Sequence, residues 1–143
     1  MAVAGYSGTP LIKKLGIKPE MKLLLINPPA GQAGEPDDYY SLLETNVSDQ
    51  LCKKNQLPDL IHLFAKSVKE FETEMKKLKP LIKKNTSVII WVSWYKKAAK
   101  IATDITEDVI RDYALKNDLV DVKVCAVSDV WSGLKLVVPL GKR

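Results

Sequence analysis

Two aromatic residues and two lysines stand together in the second half of the chain, at Trp94, Tyr95, Lys96 and Lys97. They follow the apolar segment 87–93, which predicts a buried strand. In open α/β sheets ligands bind beyond the carboxyl ends of the strands, so these four residues would lie where a ligand binds. Aromatic rings and ammonium groups suit a planar anion, for example a nucleotide. The alternative interpretation is a solvated basic turn.

A second candidate is the segment Tyr6, Ser7, Gly8 and Thr9, which precedes a short predicted helix that begins at Pro10. Glycine lets the backbone turn freely, and the first N–H groups of a helix have no partner inside the helix. Such a turn can hold an anion. The alternative is a helix cap with the tyrosine packed against the domain.

Asn27 is the third candidate, because it follows the first predicted strand in the sequence Asn-Pro-Pro-Ala. The alternative is a purely structural turn, which the two prolines make rigid where the chain leaves the strand. We expect Asn27 to meet Lys96 and Lys97 in one crevice, with the turn at residues 6–9 folding over it as a lid.

The other residues of reactive type do not identify a catalytic group. Cys52 or Cys125 could form a thiolate pair with His62, but both Cys125 and His62 lie in apolar segments typical of packed strands. The acidic residues at 104, 107 and 108 precede a helix, where carboxylates complement the helix dipole. With one histidine and no Cys-x-x-Cys pair, the sequence predicts no metal site, and we expect no cofactor.

The elements that must position these residues alternate between strand and helix. Strands are predicted at 21–26, 47–51, 60–64, 87–93, 120–127 and 134–138, and helices at 10–16, 36–43, 68–82 and from residue 103 or 106 to 116. This order predicts a three-layer, Rossmann-like α/β fold with a mainly parallel sheet. The short connection 128–133 predicts an antiparallel hairpin after it. The 143 residues fit a single domain, 1–143.

Charge and hydropathy restrict the partners. The net charge is +5, but Arg111 and Arg143 are the two arginines among 22 basic residues. Because base reading relies on the guanidinium fork, we expect no sequence-specific nucleic-acid binding. The apolar segments are too short to span a bilayer, and the sequence starts without a secretory signal pattern. These features predict a cytoplasmic protein with no membrane contact.

Three segments resemble the signature of an uncharacterised family of small single-domain bacterial proteins. They are 5–11 (GYSGTPL), 14–18 (KLGIK) and 131–134 (WSGL). The family is a domain of unknown function, so the resemblance implies no reaction.

The order of elements also resembles, more faintly, the class I methyltransferase fold. That likeness implies the strand order 2-1-3-4-6-5 for the six predicted strands. The Asn-Pro-Pro turn is similar to a motif of amino-group methyltransferases, but Ala30 replaces the aromatic residue. The same turn stands where the cofactor needs glycines, and Lys53-Lys54 stands where the ribose needs an acid. Both departures predict that neither S-adenosylmethionine nor NAD binds.

We therefore predict a small Rossmann-like domain that binds an anionic metabolite or a protein partner. A reduced methyltransferase-like transferase is the alternative, so the sequence leaves open whether the protein is an enzyme. A second alternative is non-specific nucleic-acid binding through the lysine-rich surface, which salt would weaken steeply. The oligomeric state does not follow from the sequence.

Overall fold

One mixed sheet organises the chain. The structure is a computed structural model that describes residues 9–31, 38–53 and 55–143. The strands among them are β1 (Leu23–Ile26), β2 (Leu60–Phe64), β3 (Ile89–Tyr95), β4 (Val120–Ala126) and β5 (Trp131–Val137). The helices are α1 (Leu11–Leu15), α2 (Tyr39–Leu43), α3 (Val68–Lys84) and α4 (Glu107–Lys116). Short 3-10 turns occupy Ser48–Gln50, Lys97–Ala99 and Leu140–Lys142.

The strand order is β1-β2-β3-β5-β4. β1, β2 and β3 are parallel, whereas β5 runs antiparallel to both β3 and β4. This arrangement confirms the α/β fold and the antiparallel hairpin. The five observed strands also follow the order that the methyltransferase likeness implies.

The predicted strand at 47–51 is wrong. Residues Ser48–Gln50 form a 3-10 turn, and Leu51 makes an isolated parallel bridge to Leu23. The reason is local: the Asn46 side chain accepts a hydrogen bond from the Ser48 backbone N–H at 2.9 Å. An asparagine that binds the backbone two residues onward starts a turn rather than a strand.

Helices cover both faces of the sheet. On one face, α3 and α4 bury apolar residues of which Phe71, Met75 and Ile110 are examples. On the other face, α1 and α2 pack their apolar residues against Trp91 and Trp131. The result is a three-layer structure with one hydrophobic cluster on each side of the sheet. Among the described helices, none has the length and hydropathy that crossing a bilayer requires.

Candidate functional site

The aromatic half of the basic segment belongs to the sheet rather than to a loop. The sequence predicted a loop from Trp94 onward, but β3 continues to Tyr95, since these residues pair with Ser132 and Trp131 of β5. Trp94 and Tyr95 are only 8% and 9% exposed. The Tyr95 ring stacks on Trp131, with ring centroids 4.4 Å apart. The two rings are therefore largely committed to the core, and the exposed part of the segment begins at Lys96.

A groove of about 570 Å³ opens at the carboxyl end of β3. We call it the carboxyl-edge groove. Its size falls within the range of about 300–1,000 Å³ that is usual for small-molecule sites. The residues that line it come from the end of β3, the connection to α4, the first turn of α4 and the start of β5: Trp94, Tyr95, Lys96, Lys97, Ile101, Ala102, Thr103, Ile105, Thr106, Glu107, Asp108 and Ser132.

Some charged side chains of the carboxyl-edge groove have ion-pair partners among the described residues, and others do not. Arg111 binds the carboxylates of both Glu107 and Asp108, the second at 3.1 Å. The hydrogen bond to Glu107, and after it the one to Asp121 of β4, raises the pKa of Arg111. Within the described ranges, Lys96 and Lys97 have no ion-pair partner. The two ammonium groups are therefore the charges in the groove that a ligand can engage.

Tertiary hydrogen bonds hold the connection from β3 to α4 in place. The Thr103 hydroxyl donates to the Lys66 carbonyl at 2.8 Å, and an Asp104 carboxylate oxygen accepts from the Val68 N–H at 2.8 Å. Asp104 therefore binds the start of α3, 36 residues away, instead of heading its own helix. Thr106 caps α4, because its hydroxyl accepts from the Val109 N–H. The groove wall is thus fixed by these contacts.

Asn27 is exposed and lies apart from the two lysines. It has a left-handed backbone, with φ of 53°, directly after β1. β2 lies between β1 and β3, and a displacement of two strands corresponds to roughly 10 Å. Asn27 is not among the residues that line the carboxyl-edge groove. The loop between the two sides of the expected crevice is the one that begins at Ala65 after β2, and none of its residues was among the predicted site residues.

The N-terminal candidates are described only in part. Tyr6, Ser7 and Gly8 lie outside the described residues, so the lid remains a prediction. Thr9 is half-buried and precedes α1, which begins one residue later than expected, with Pro10 as its N-cap. The apolar residues of α1 pack on the α2 side of the sheet, whereas Trp94 and Ile105 of the groove belong to the α3 and α4 side.

A buried polar chain crosses the centre of the fold. The Tyr39 hydroxyl lies 3.1 Å from His62 Nδ1, and His62 Nε2 lies 2.7 Å from the Ser93 hydroxyl. His62 and Ser93 are completely buried, and burial lowers the pKa of His62 to about 3. Both ring nitrogens are therefore occupied and the ring is neutral. His62 has a structural role and is not paired with a cysteine.

The two cysteines are not activated. Burial is the main cause that raises the pKa of both the Cys52 and the Cys125 thiol, so both are protonated at neutral pH. The Cys52 thiol donates to the Gln56 carbonyl at 3.0 Å. In the part of the chain that the structure describes, no group of three or more His, Cys, Asp or Glu side chains could hold a metal ion.

Two solved bacterial structures share this fold. One is described as a protein in the NADB-Rossmann superfamily from Streptococcus agalactiae; it superposes with a TM-score of 0.52 at 10% identity, over 96% of this chain and 71% of that chain. The other is an uncharacterised protein from Listeria monocytogenes serotype 4b, with a TM-score of 0.55 at 9% identity, over 92% of this chain and 68% of that chain.

No family model and no curated protein matches this sequence. Identity this low between the structures shows the fold alone, and the chain therefore has a Rossmann-like α/β fold. The three signature segments stay a resemblance.

Proposed function

We propose that this Rossmann-like domain binds a small anionic metabolite in the carboxyl-edge groove. The observation that supports the proposal is the pair Lys96 and Lys97, which lack ion-pair partners among the described residues, at the carboxyl end of a central strand. Ligands of Rossmann-like folds bind at this edge of the sheet. The nearby carboxylates of Glu107 and Asp108 are both bound to Arg111, which reduces their repulsion of an anion.

The other walls of the groove indicate the rest of the ligand. Ile101 is 40% exposed and Ala102 is also exposed, so an apolar or planar part of a ligand would cover apolar surface there. The Ser132 hydroxyl can donate and accept hydrogen bonds. A phosphorylated or carboxylated metabolite with a flat body, such as a nucleotide, combines these features. Asn27 contacts such a ligand only if the ligand extends past the end of β2.

The test is a thermal-shift screen of nucleotides and phosphorylated metabolites. A ligand should raise the melting temperature of the wild type but not of Lys96→Ala/Lys97→Ala, because each lost charge-assisted contact weakens binding by about tenfold or more. The matched control is Lys69→Ala/Lys76→Ala, which removes two exposed charges on the outer side of α3. Stabilisation that survives the first double substitution would place the ligand elsewhere.

A further inference from the structure

A second cavity, of about 400 Å³, lies at the opposite edge of the sheet, where α3 and α4 end. Four lysines line it: Lys79, Lys83, Lys116 and Lys142. We call it the lysine groove. Of the described residues that line it, Asp118 alone is acidic. The lining therefore carries a clear excess of positive charge.

Three of the four lysine ammonium groups lie close enough to Asp118 to affect its carboxylate. Lys142 Nζ lies 2.6 Å from Asp118 Oδ1, and this hydrogen bond is the main cause that lowers the pKa of the Asp118 carboxyl. The charges of Lys142, Lys79 and Lys83 lower it further. Three cations thus act on one carboxylate. One acid cannot neutralise them, so the groove retains positive potential for a second anion.

Tyr113 provides an independent observation in the same groove. Its hydroxyl oxygen is buried and has no hydrogen-bond partner, while its ring packs edge-on against Phe71. Burial, and to a smaller extent the Glu72 carboxylate, raises the pKa of Tyr113, so the hydroxyl keeps its proton. A buried donor without an acceptor is unfavourable, and an oxygen of a ligand would satisfy it once a small rotation of the Tyr113 side chain exposes the hydroxyl to the groove.

The floor of the lysine groove is apolar. Met75, Leu119 and Val138 are buried there, and Ile82 is partly buried beside them. A fully hydrated inorganic ion would leave the exposed part of Ile82 uncovered, whereas a ligand with a small hydrocarbon part would cover it.

Helix ends alone do not explain this arrangement. Lysines in the last turn of a helix stabilise the helix dipole, which accounts for Lys83 of α3 and Lys116 of α4. Lys142 belongs to neither helix, and the unpaired hydroxyl of Tyr113 has no part in dipole compensation. We propose that the lysine groove binds a small anion with an apolar body, in which the lysines hold the phosphate or carboxylate and Tyr113 donates a hydrogen bond to it.

Phenyl phosphate and benzoate are suitable probes, because they share one ring and differ in the anionic group. Each is titrated into the isotope-labelled full chain, and binding is followed by NMR at the backbone amides. We expect saturable shifts at the ends of α3 and α4, and the tighter of the two probes identifies the preferred anion. Shifts confined to the carboxyl-edge groove, or no saturable shift with either probe at millimolar concentration, would overturn the proposal.

Variants separate a site from general attraction. Lys79→Ala/Lys83→Ala should weaken binding by about tenfold or more, and Tyr113→Phe, which keeps the ring, by about fivefold. Lys69→Ala/Lys76→Ala removes the same charge from the same helix and should bind like the wild type. Equal weakening by both double variants would mean that net charge alone attracts the probe, which contradicts the proposal.

The two proposed sites can fail separately. The two substitutions in Lys96→Ala/Lys97→Ala lie at the other edge of the sheet. The affinity of this variant for the probe in the lysine groove should therefore equal that of the wild type. A loss of binding in this variant would move the probe to the carboxyl-edge groove and overturn the second proposal without affecting the first.

Discussion

Acidification should destabilise this protein through the buried ring of His62. The ring is completely buried and its pKa is lowered from 6.5 to about 3. At a pH below the pKa that this histidine has in the unfolded chain, the unfolded chain binds a proton that the folded chain does not. The free energy of unfolding therefore falls as the pH drops toward 3. Each pH unit in this window contributes about 1.4 kcal/mol. Between the ordinary pKa of 6.5 and about pH 4 this window covers about two and a half units, so His62 should lower the free energy of unfolding by about 3.5 kcal/mol.

The assay is urea denaturation of the wild type and of His62→Gln across this pH range. Glutamine retains a donor and an acceptor for Tyr39 and Ser93 but cannot titrate. We expect the variant to be less stable at neutral pH and to lose about 3.5 kcal/mol less on acidification. The carboxylates titrate equally in both proteins, so the difference isolates His62.

A second measurement does not depend on the folding of the variant. The chain has one histidine, so its ring protons give an unambiguous NMR signal. This signal should not titrate between neutral pH and about pH 4 while the protein stays folded. A midpoint near the ordinary value in the folded protein, or equal pH dependence of stability in wild type and variant, would refute the reasoning.

The remaining predictions concern packing, capping and cofactor binding. Gly133→Ala would place a Cβ 3.0 Å from Val127 and 3.3 Å from Trp91, so denaturation should show a loss of about 1–3 kcal/mol, whereas Gly141→Ala, with open space around it, should cost much less. Thr106→Ala removes the N-cap of α4 and should cost about 1 kcal/mol in the same assay. Calorimetry should detect no micromolar binding of S-adenosylmethionine, because two prolines replace the glycine loop after β1. Micromolar binding would contradict the last prediction.

The sheet could be predicted because its strands carry strong local patterns. The largely apolar segments that became β2 and β3 are typical of parallel strands buried on both faces. The hairpin was predicted with the wrong turn, since Trp131 and Gly133 were assigned to the connection but pair with β3 and β4. The turn lies earlier, where the Ser128 hydroxyl accepts from the N–H groups of Val130 and Trp131. A serine that binds the backbone in this way is a local signal of a turn.

The candidate site was harder to predict because its charges are arranged by contacts distant in the sequence. Nothing local indicates that Asp104 binds the start of α3, or that Arg111 also reaches Asp121 of β4. The implied strand order already placed β2 between β1 and β3, but the expected crevice did not allow for the width of that strand, which separates Asn27 from the two lysines. The lysine groove was missed because it combines residues of α3, α4 and the turn after β5.

The position of β5 has a consequence for how the protein is made. β5 is the last strand in chain order, yet it lies between β3 and β4. During synthesis, β4 therefore emerges before the strand with which it pairs, and β3 keeps an unpaired edge until β5 is complete. Unpaired strand edges promote association between nascent chains. Because the connection between β4 and β5 is short, we expect the hairpin to form by itself and then dock on β3 as one unit, which shortens the interval in which that edge is open.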